Sequence, residues 1–361
     1  MIKYIDEYRD KKLVLKIADE IRRISSRPLR FMEVCGGHTM AIQKFGIPSL
    51  LPENIKLLSG PGCPVCVTDR KFIDTAIAFA RLDDVIITTY GDLIRVPGST
   101  SSLDAERGKG HQIKIVYSVL DALEIARNNP DKKVIFLGVG FETTTPSSAA
   151  GVVNAMNEGL KNFYLYNSHK VMPPAMTALI NEGVKIDGYI APGHVSTITG
   201  TEIYDNIPTK YGLGCVISGF EPVDLMQSIL MLIRQMEDND AKVEIQYTRA
   251  VVRKGNTKAQ KIVEEVFEPA DDWWRGLGIL KDSGLKLREA FKSMDAIEVI
   301  AVDVEETRLD KGCICGEILK GLKTPGDCEL FGKACTPNDP VGACMVSNEG
   351  ACHAWFRYKG I

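Results

Sequence analysis

From residue 12 the apolar positions fall at helical spacing. Leu13, Leu15, Ile17, Ala18, Ile21 and Ile24 predict an amphipathic helix over 12–25. Short apolar runs then alternate with helical patterns. Residues 31–34, 55–58, 85–88 and 113–117 read as buried strands, most of them ending in a Gly, Ser or Thr turn. Helical patterns follow at 69–81 and 118–127. A second set of runs, 134–139, 163–166, 188–191 and 215–217, repeats the rhythm, and positions 31 and 134 are as far apart as 85 and 188. This alternation predicts an α/β protein with parallel sheets. We expect two similar α/β domains, 28–128 and 129–240, with one larger continuous sheet as the alternative. Residues 1–27 are expected to form an N-terminal helix packed on the C-terminal domain.

Near residue 238 the character changes. The stretch EDNDAKVE is polar and reads as a linker. Residues 257–295 look helical, with an interruption at 273–278. Beyond residue 300, Gly, Pro and Cys punctuate the chain to its end. We therefore expect a third unit, 241–361, built mainly of helices and loops. A loop-rich segment needs something other than a hydrophobic core to order it. A metal cluster would serve, because ligation energy becomes folding energy.

Composition narrows the chemistry. With 361 residues, 45% of them hydrophobic, the chain can bury a core without disulfides. A net charge of −3 gives no electrostatic footprint for nucleic acid. The N-terminus carries charges every few residues and lacks the apolar core of a signal peptide. No apolar run approaches the ~18 residues that span a bilayer. The expectation is a cytoplasmic protein with reduced cysteines and neither a nucleic-acid nor a membrane partner.

The cysteines then become informative. Six of ten lie in the last 49 residues: Cys313, Cys315, Cys328, Cys335, Cys344 and Cys352. One CxC followed by isolated cysteines on Gly- and Pro-rich loops suits an iron–sulfur cluster. It lacks the second knuckle common in zinc sites. Six cysteines for four ligand places leave a pair over, either a redox pair beside the cluster or simply buried thiols.

Three further segments attract attention. In SGPGCPVCVTDR (59–70), Cys63 and Cys66 form a CxxC after a strand, with Thr68 and Asp69 placed to cap a helix. Thiols at a helix start have lowered pKa, so this reads as a thioredoxin-like redox pair at the surface. A zinc half-site is the alternative. In EVCGGHTM (33–40), Cys35 ends a strand, where α/β sheets place their ligands. Gly36 and Gly37 allow close approach, and His38 follows. A thiolate with an imidazole can hold a soft metal or form a nucleophile–base pair. GVGFETTTPSSAA (138–150) resembles an anion cradle but lacks both nucleotide fingerprints. His169 and His194 each follow a strand, as cleft residues or structural ones. Cys215 reads as core.

Taken together, EVCGGHT, LLSGPGCPVC, GVGFETTTP, YNSHKVMPPAM, APGHVSTITG and CMVSNEGACHAW resemble the HypD family of hydrogenase maturation proteins, from about residue 30 to 355. The resemblance implies two similar α/β domains and a third domain carrying a [4Fe-4S] cluster. The family's C-x14-C-x6-C-x16-C ligand pattern falls on Cys313, Cys328, Cys335 and Cys352. That leaves Cys315 and Cys344, which in this family resemble the cluster-adjacent disulfide of ferredoxin:thioredoxin reductase. The resemblance further implies a redox-active scaffold working with a HypC-like small chaperone and a HypE-like cyanide donor. Iron held between a HypC cysteine and Cys35, with His38 beside it, would receive cyanide and carbonyl ligands to become the Fe(CN)2CO unit. Cys63, Cys66, Cys315 and Cys344 would then be the redox thiols. The alternative is a [4Fe-4S]-dependent disulfide reductase, which keeps every cysteine but needs no iron at Cys35.

Overall fold

A computed structural model describes residue 3, residues 5–308 and residues 312–359. Its strands, in chain order, are β1 (Leu29–Glu33), β2 (Ile55–Ser59), β3 (Val85–Thr89), β4 (Ile113–Ile115), β5 (Lys133–Gly140), β6 (Phe163–His169), β7 (Gly188–Pro192), β8 (Gly214–Ser218), β9 (Val243–Ile245), β10 (Phe267–Trp274) and β11 (Gly278–Leu287). The nearly unbroken burial of β3, β5, β7 and β8 explains why they read as continuous apolar runs. Helices cover both faces of a parallel sheet, so these inner strands meet no water on either face.

Two parallel sheets form, as expected, but they do not follow the expected halves of the chain. The first has the order β2-β1-β7-β8-β9 and the second β4-β3-β5-β6. The second sheet is therefore inserted between β2 and β7 of the first. Local hydrophobic pattern marks a strand but says nothing of its pairing partner, which is why the interleaving was not foreseen. The likeness between the domains is real at the level of order. In each sheet the first strand in sequence lies inside, the second flanks it at the edge, and the third flanks it on the other side. That is the doubly wound order, with a topological switch point between β1 and β7 and another between β3 and β5.

Three further expectations are corrected. The helix Lys11–Ile24 buries Val14, Ile17, Ala18 and Ile21 against the helix Pro222–Glu237, on the outer face of the first sheet. It does not pack on the C-terminal region, because its partner is the apolar stripe of Val223, Met226, Ile229 and Ile233. The polar stretch near 240 ends in β9, an edge strand whose half-buried residues gave no apolar run. Residues 267–287 are an antiparallel hairpin, β10 and β11, rather than helix. The predicted interruption at 273–278 is its turn.

Residues 301–308 form neither helix nor strand, and short helices follow at Cys315–Leu319, Ala343–Val346 and Ala351–Tyr358. These pack into the core that also holds Cys63 and Cys66. Among the described residues, no helix is long and apolar enough to cross a membrane.

Candidate functional site

The carboxyl ends of both sheets open onto one cleft of about 790 Å³. After β1 it is lined by Cys35, after β2 by Gly62, Pro64 and Val65, and after β7 by His194 and Thr197. The second sheet contributes Asp92 after β3 and Phe141, Thr143 and Thr144 after β5. The two switch points thus face each other, and five of the sequence motifs meet where open α/β sheets bind ligands. The helices Gly36–Lys44 and Thr145–Asn157 both start at this cleft. Their amino ends favour negative charge there.

Cys35 is half-buried and caps the first of these helices in extended conformation. The CxxC loop is pressed against it. Gly36 N–H donates to the Gly62 carbonyl at 2.9 Å. A Cβ on Gly62 would lie 2.2 Å from the Cys35 nitrogen, so only glycine fits. Beneath, Glu33 accepts the Cys35 N–H at 3.1 Å and the Thr39 hydroxyl at 2.5 Å. Burial pushes the Glu33 carboxyl up to about 8. Beside Cys35, Glu349 packs on Gly36, where a Cβ would lie 2.3 Å from the Glu349 Cβ. Burial and then the Glu349 carboxylate push the Cys35 thiol well above its ordinary value. The free protein therefore holds a protonated thiol at this point. A bound cation supplies the positive charge that the thiolate needs, so metal binding here releases a proton.

His38 does not take the place beside the cleft that its spacing from Cys35 suggests, whereas His194 takes the cleft position that was one of its two readings. His38 is fully buried and does not line the cleft; its Nε2 lies 3.2 Å from the Ser218 carbonyl and 3.1 Å from that of Gly219. Burial pushes its pKa down to about 4. Its ring stacks on Phe220 at 4.6 Å, and His194 stacks on the same ring at 4.0 Å. His194 lines the cleft. His169 is a core histidine, bonded to Ser148 at 3.2 Å and to Asn167. Cys215 is buried in β8, in the core.

The CxxC is not at the surface. Cys63 and Cys66 are 3% and 0% exposed, and the Cys66 N–H points at the Cys63 sulfur, 3.3 Å away. Their short helix is Pro64–Val67; Asp69 caps the following one by accepting from Lys71 N–H at 3.2 Å. The Cys66 thiol is hydrogen-bonded with Cys344 and Cys63, and burial first, then those bonds, push its pKa well up rather than down. Cys344 is also bonded to Cys315, and Cys315 to Cys313 and Cys352. A continuous chain of thiols thus runs from the cleft wall to the terminal cysteines. Within it the Cys344 thiol is pulled down, to about 6, by hydrogen bonds from Cys315 and then Cys66. Cys66→Ser is expected to lower stability by about 1–3 kcal/mol, because a hydroxyl replaces a thiol at a fully buried site with only weak sulfur partners. Denaturant unfolding measures this.

Cys313, Cys315, Cys328, Cys335 and Cys352 line one small apolar cavity with Ile318, Leu330, Phe331 and Met345. Val341 N–H donates to the Cys335 sulfur at 3.3 Å. Among the described residues, no three Cys, His, Asp or Glu side chains are grouped tightly enough to share one ion. A cluster asks for something different. Each of its four irons takes its own thiolate, so the sulfurs must surround a cavity rather than converge on a point. Five cysteines around this apolar cavity, one more than a cluster needs, fit that requirement.

Residues 11–359 match the family described as "HypD: Hydrogenase formation hypA family". The chain belongs to the HypD family. It is 47% identical over 370 aligned positions to the hydrogenase maturation factor HypD2 of Bradyrhizobium diazoefficiens, covering 99% of this chain and 97% of that one. It is 46% identical over 369 positions to HypD of Azotobacter vinelandii, with the same coverage. A putative hydrogenase expression/formation protein of Methanocaldococcus jannaschii is 46% identical over 354 residues, covering 98% and 99% of the two chains.

Among the residues lining the cleft, Asp92 and Glu349 had not been singled out from the sequence. Glu349 was within reach, since it stands in the CMVSNEGACHAW motif.

Proposed function

We propose that this chain is a cytoplasmic scaffold of hydrogenase maturation that holds an iron ion on Cys35 while its cyanide and carbonyl ligands are attached. The observation that carries the reading is the position of Cys35. It stands where the two switch points face each other, in an open cleft, in direct contact with the CxxC loop. A HypC-like chaperone supplies the second thiolate, and a HypE-like partner delivers cyanide on sulfur. His194, on the cleft wall, is better placed than His38 to face what is bound. A disulfide reductase would use the same thiol chain but would leave the Cys35 cleft idle.

Freeing cyanide from a sulfur carrier takes two electrons. The Cys63–Cys66 dithiol supplies them: the carrier's S–C bond breaks, one proton goes to the carrier sulfur, one to cyanide, and the Cys63–Cys66 disulfide forms. The thiol chain then resets it. Cys344 thiolate attacks the Cys66 sulfur and Cys63 leaves as thiolate. Cys315 attacks Cys344, and Cys66 leaves in turn, so that Cys315–Cys344 becomes the disulfide. Low pKa at the attacking sulfur is what this exchange requires. Returning that last pair to thiols takes two electrons and two protons from an external one-electron reductant, and passing those electrons one at a time is the chemistry that a [4Fe-4S] cluster, held by Cys313, Cys328, Cys335 and Cys352, would supply when bound.

In a strain lacking its own HypD, this chain is expected to restore hydrogenase activity, and its Cys35→Ala variant is not. Restoration by Cys35→Ala as good as by the unchanged chain would contradict the proposal.

A further inference from the structure

Each parallel sheet ends in two edge strands, and an open edge is a template for another chain. β6 is covered: Leu165 bridges to Asp295, and Lys170, just past its end, bridges to Gly284 of the hairpin. β4 and β9 have three residues each. β2 has five and pairs, among the described residues, with β1 alone. Leu29 N–H donates to the Asn54 carbonyl at 2.9 Å, and Gly60 N–H to the Glu33 carbonyl at 2.8 Å. In a parallel pair every second residue of a strand bonds to a given neighbour. Residues 54, 56, 58 and 60 therefore turn to β1, and the main chain of Leu57, in the middle of the strand, turns away from it.

All five residues of β2 line a groove of about 550 Å³. The helix Gly36–Lys44 and the turn after it add Ile42 and Pro48 to its walls. The helix Ala351–Tyr358 adds Trp355 and Tyr358, both half-buried. Three charged residues line the groove. Lys56 and Lys359 are exposed, and among the described residues neither pairs with a carboxylate. The third, Glu33, is 1% exposed and already accepts from Cys35 N–H and the Thr39 hydroxyl. The groove shares no lining residue with the Cys35 cleft.

We propose that this groove binds an extended, acidic segment of a partner protein by strand addition to β2. The segment's main chain pairs with Leu57, its acidic side chains face Lys56 and Lys359, and an apolar side chain packs on Trp355. Main-chain bonds to a sheet edge give affinity, and contacts of alternate side chains give specificity. The occupant is acidic because both accessible charges of the groove are positive. Half-buried Trp and Tyr are the side chains that interfaces favour, since they offer apolar area with a polar handle. The proposal stands apart from the redox reading and from iron at Cys35.

The test pans a displayed library of random peptides on the full-length protein. Peptides with acidic and apolar residues in alternation should be enriched. Synthetic copies should then bind the Lys56→Glu, Lys359→Glu double variant roughly tenfold or more weakly, read by fluorescence anisotropy. Both lysines are exposed, so the variant keeps the fold. Methylating main-chain nitrogens of the peptide at alternate residues should weaken binding by a similar factor for one of the two alternate sets, because strand addition uses only that set. No enrichment of acidic peptides, equal binding to the double variant, or indifference to methylation of both sets overturns the proposal. A second copy of this chain in the groove would appear in sedimentation equilibrium as a dimer that the double variant lacks, and that result would overturn it too.

Discussion

Cys35→Ala is expected to reduce the iron bound between this chain and a HypC-like chaperone to background. Among the described residues Cys35 is the only thiol lining the open cleft, and iron carrying strong-field diatomic ligands needs a thiolate anchor. Nothing else about the variant should change. Alanine caps the helix as well as cysteine does here, since the Cys35 side chain makes no capping bond. The terminal cysteines lie in a different part of the core, so cluster iron and complex formation should persist. Iron analysis of the complex, before and after removal of the chaperone, measures both. His38→Ala should weaken iron loading less. Its ring faces the Ser218 and Gly219 carbonyls rather than the cleft, so the main effect is a stability loss of about 1–3 kcal/mol from buried carbonyls left unpaired.

Replacing any one of Cys313, Cys328, Cys335 or Cys352 by Ala should bleach the anaerobically purified protein and lower its stability. The segment from residue 312 has few long elements of its own, and three of its four cluster candidates are held only by loops and short helices. Ligation energy then becomes folding energy. Cys315→Ala and Cys344→Ala should keep the colour, since Cys315, though it also lines the cavity, and Cys344 belong to the relay and not to the proposed ligand set. Visible absorption and iron and sulfide content read the outcome. A colourless Cys315→Ala beside a brown Cys313→Ala would reverse the ligand assignment. A colourless, zinc-loaded unchanged protein would favour the zinc alternative, since zinc thiolates do not absorb in the visible.

Much of this was legible in the sequence, for physical reasons. The inner strands β3, β5, β7 and β8 are buried on both faces, so each appeared as a short apolar run with sharp ends. Cys35 was placed at a strand end near the CxxC because β1 and β2 are neighbours, paired from Leu29 with Ile55 to Glu33 with Ser59. What failed was long-range. Pairing of β1 with β7 joins residues 31 and 188, and no local pattern encodes it. The hairpin was missed because its strands alternate exposed and half-buried residues, with a register shift between Ala270 and Asp272 that blurs a two-residue period. The burial of the CxxC was missed because its cover, the terminal helices, comes from the far end of the chain. His38 misled because proximity in sequence to Cys35 does not fix which way an imidazole points.

The central claim is that iron acquires cyanide and carbonyl ligands while held at Cys35. The most direct test is the infrared spectrum of the anaerobically purified complex of this chain with a HypC-like chaperone, made in cells that supply a HypE-like partner. The account predicts bands of iron-bound cyanide and carbonyl in the unchanged complex, and their absence from the Cys35→Ala complex. Equal bands in both would contradict it and return the thiol chain to the role of a disulfide reductase.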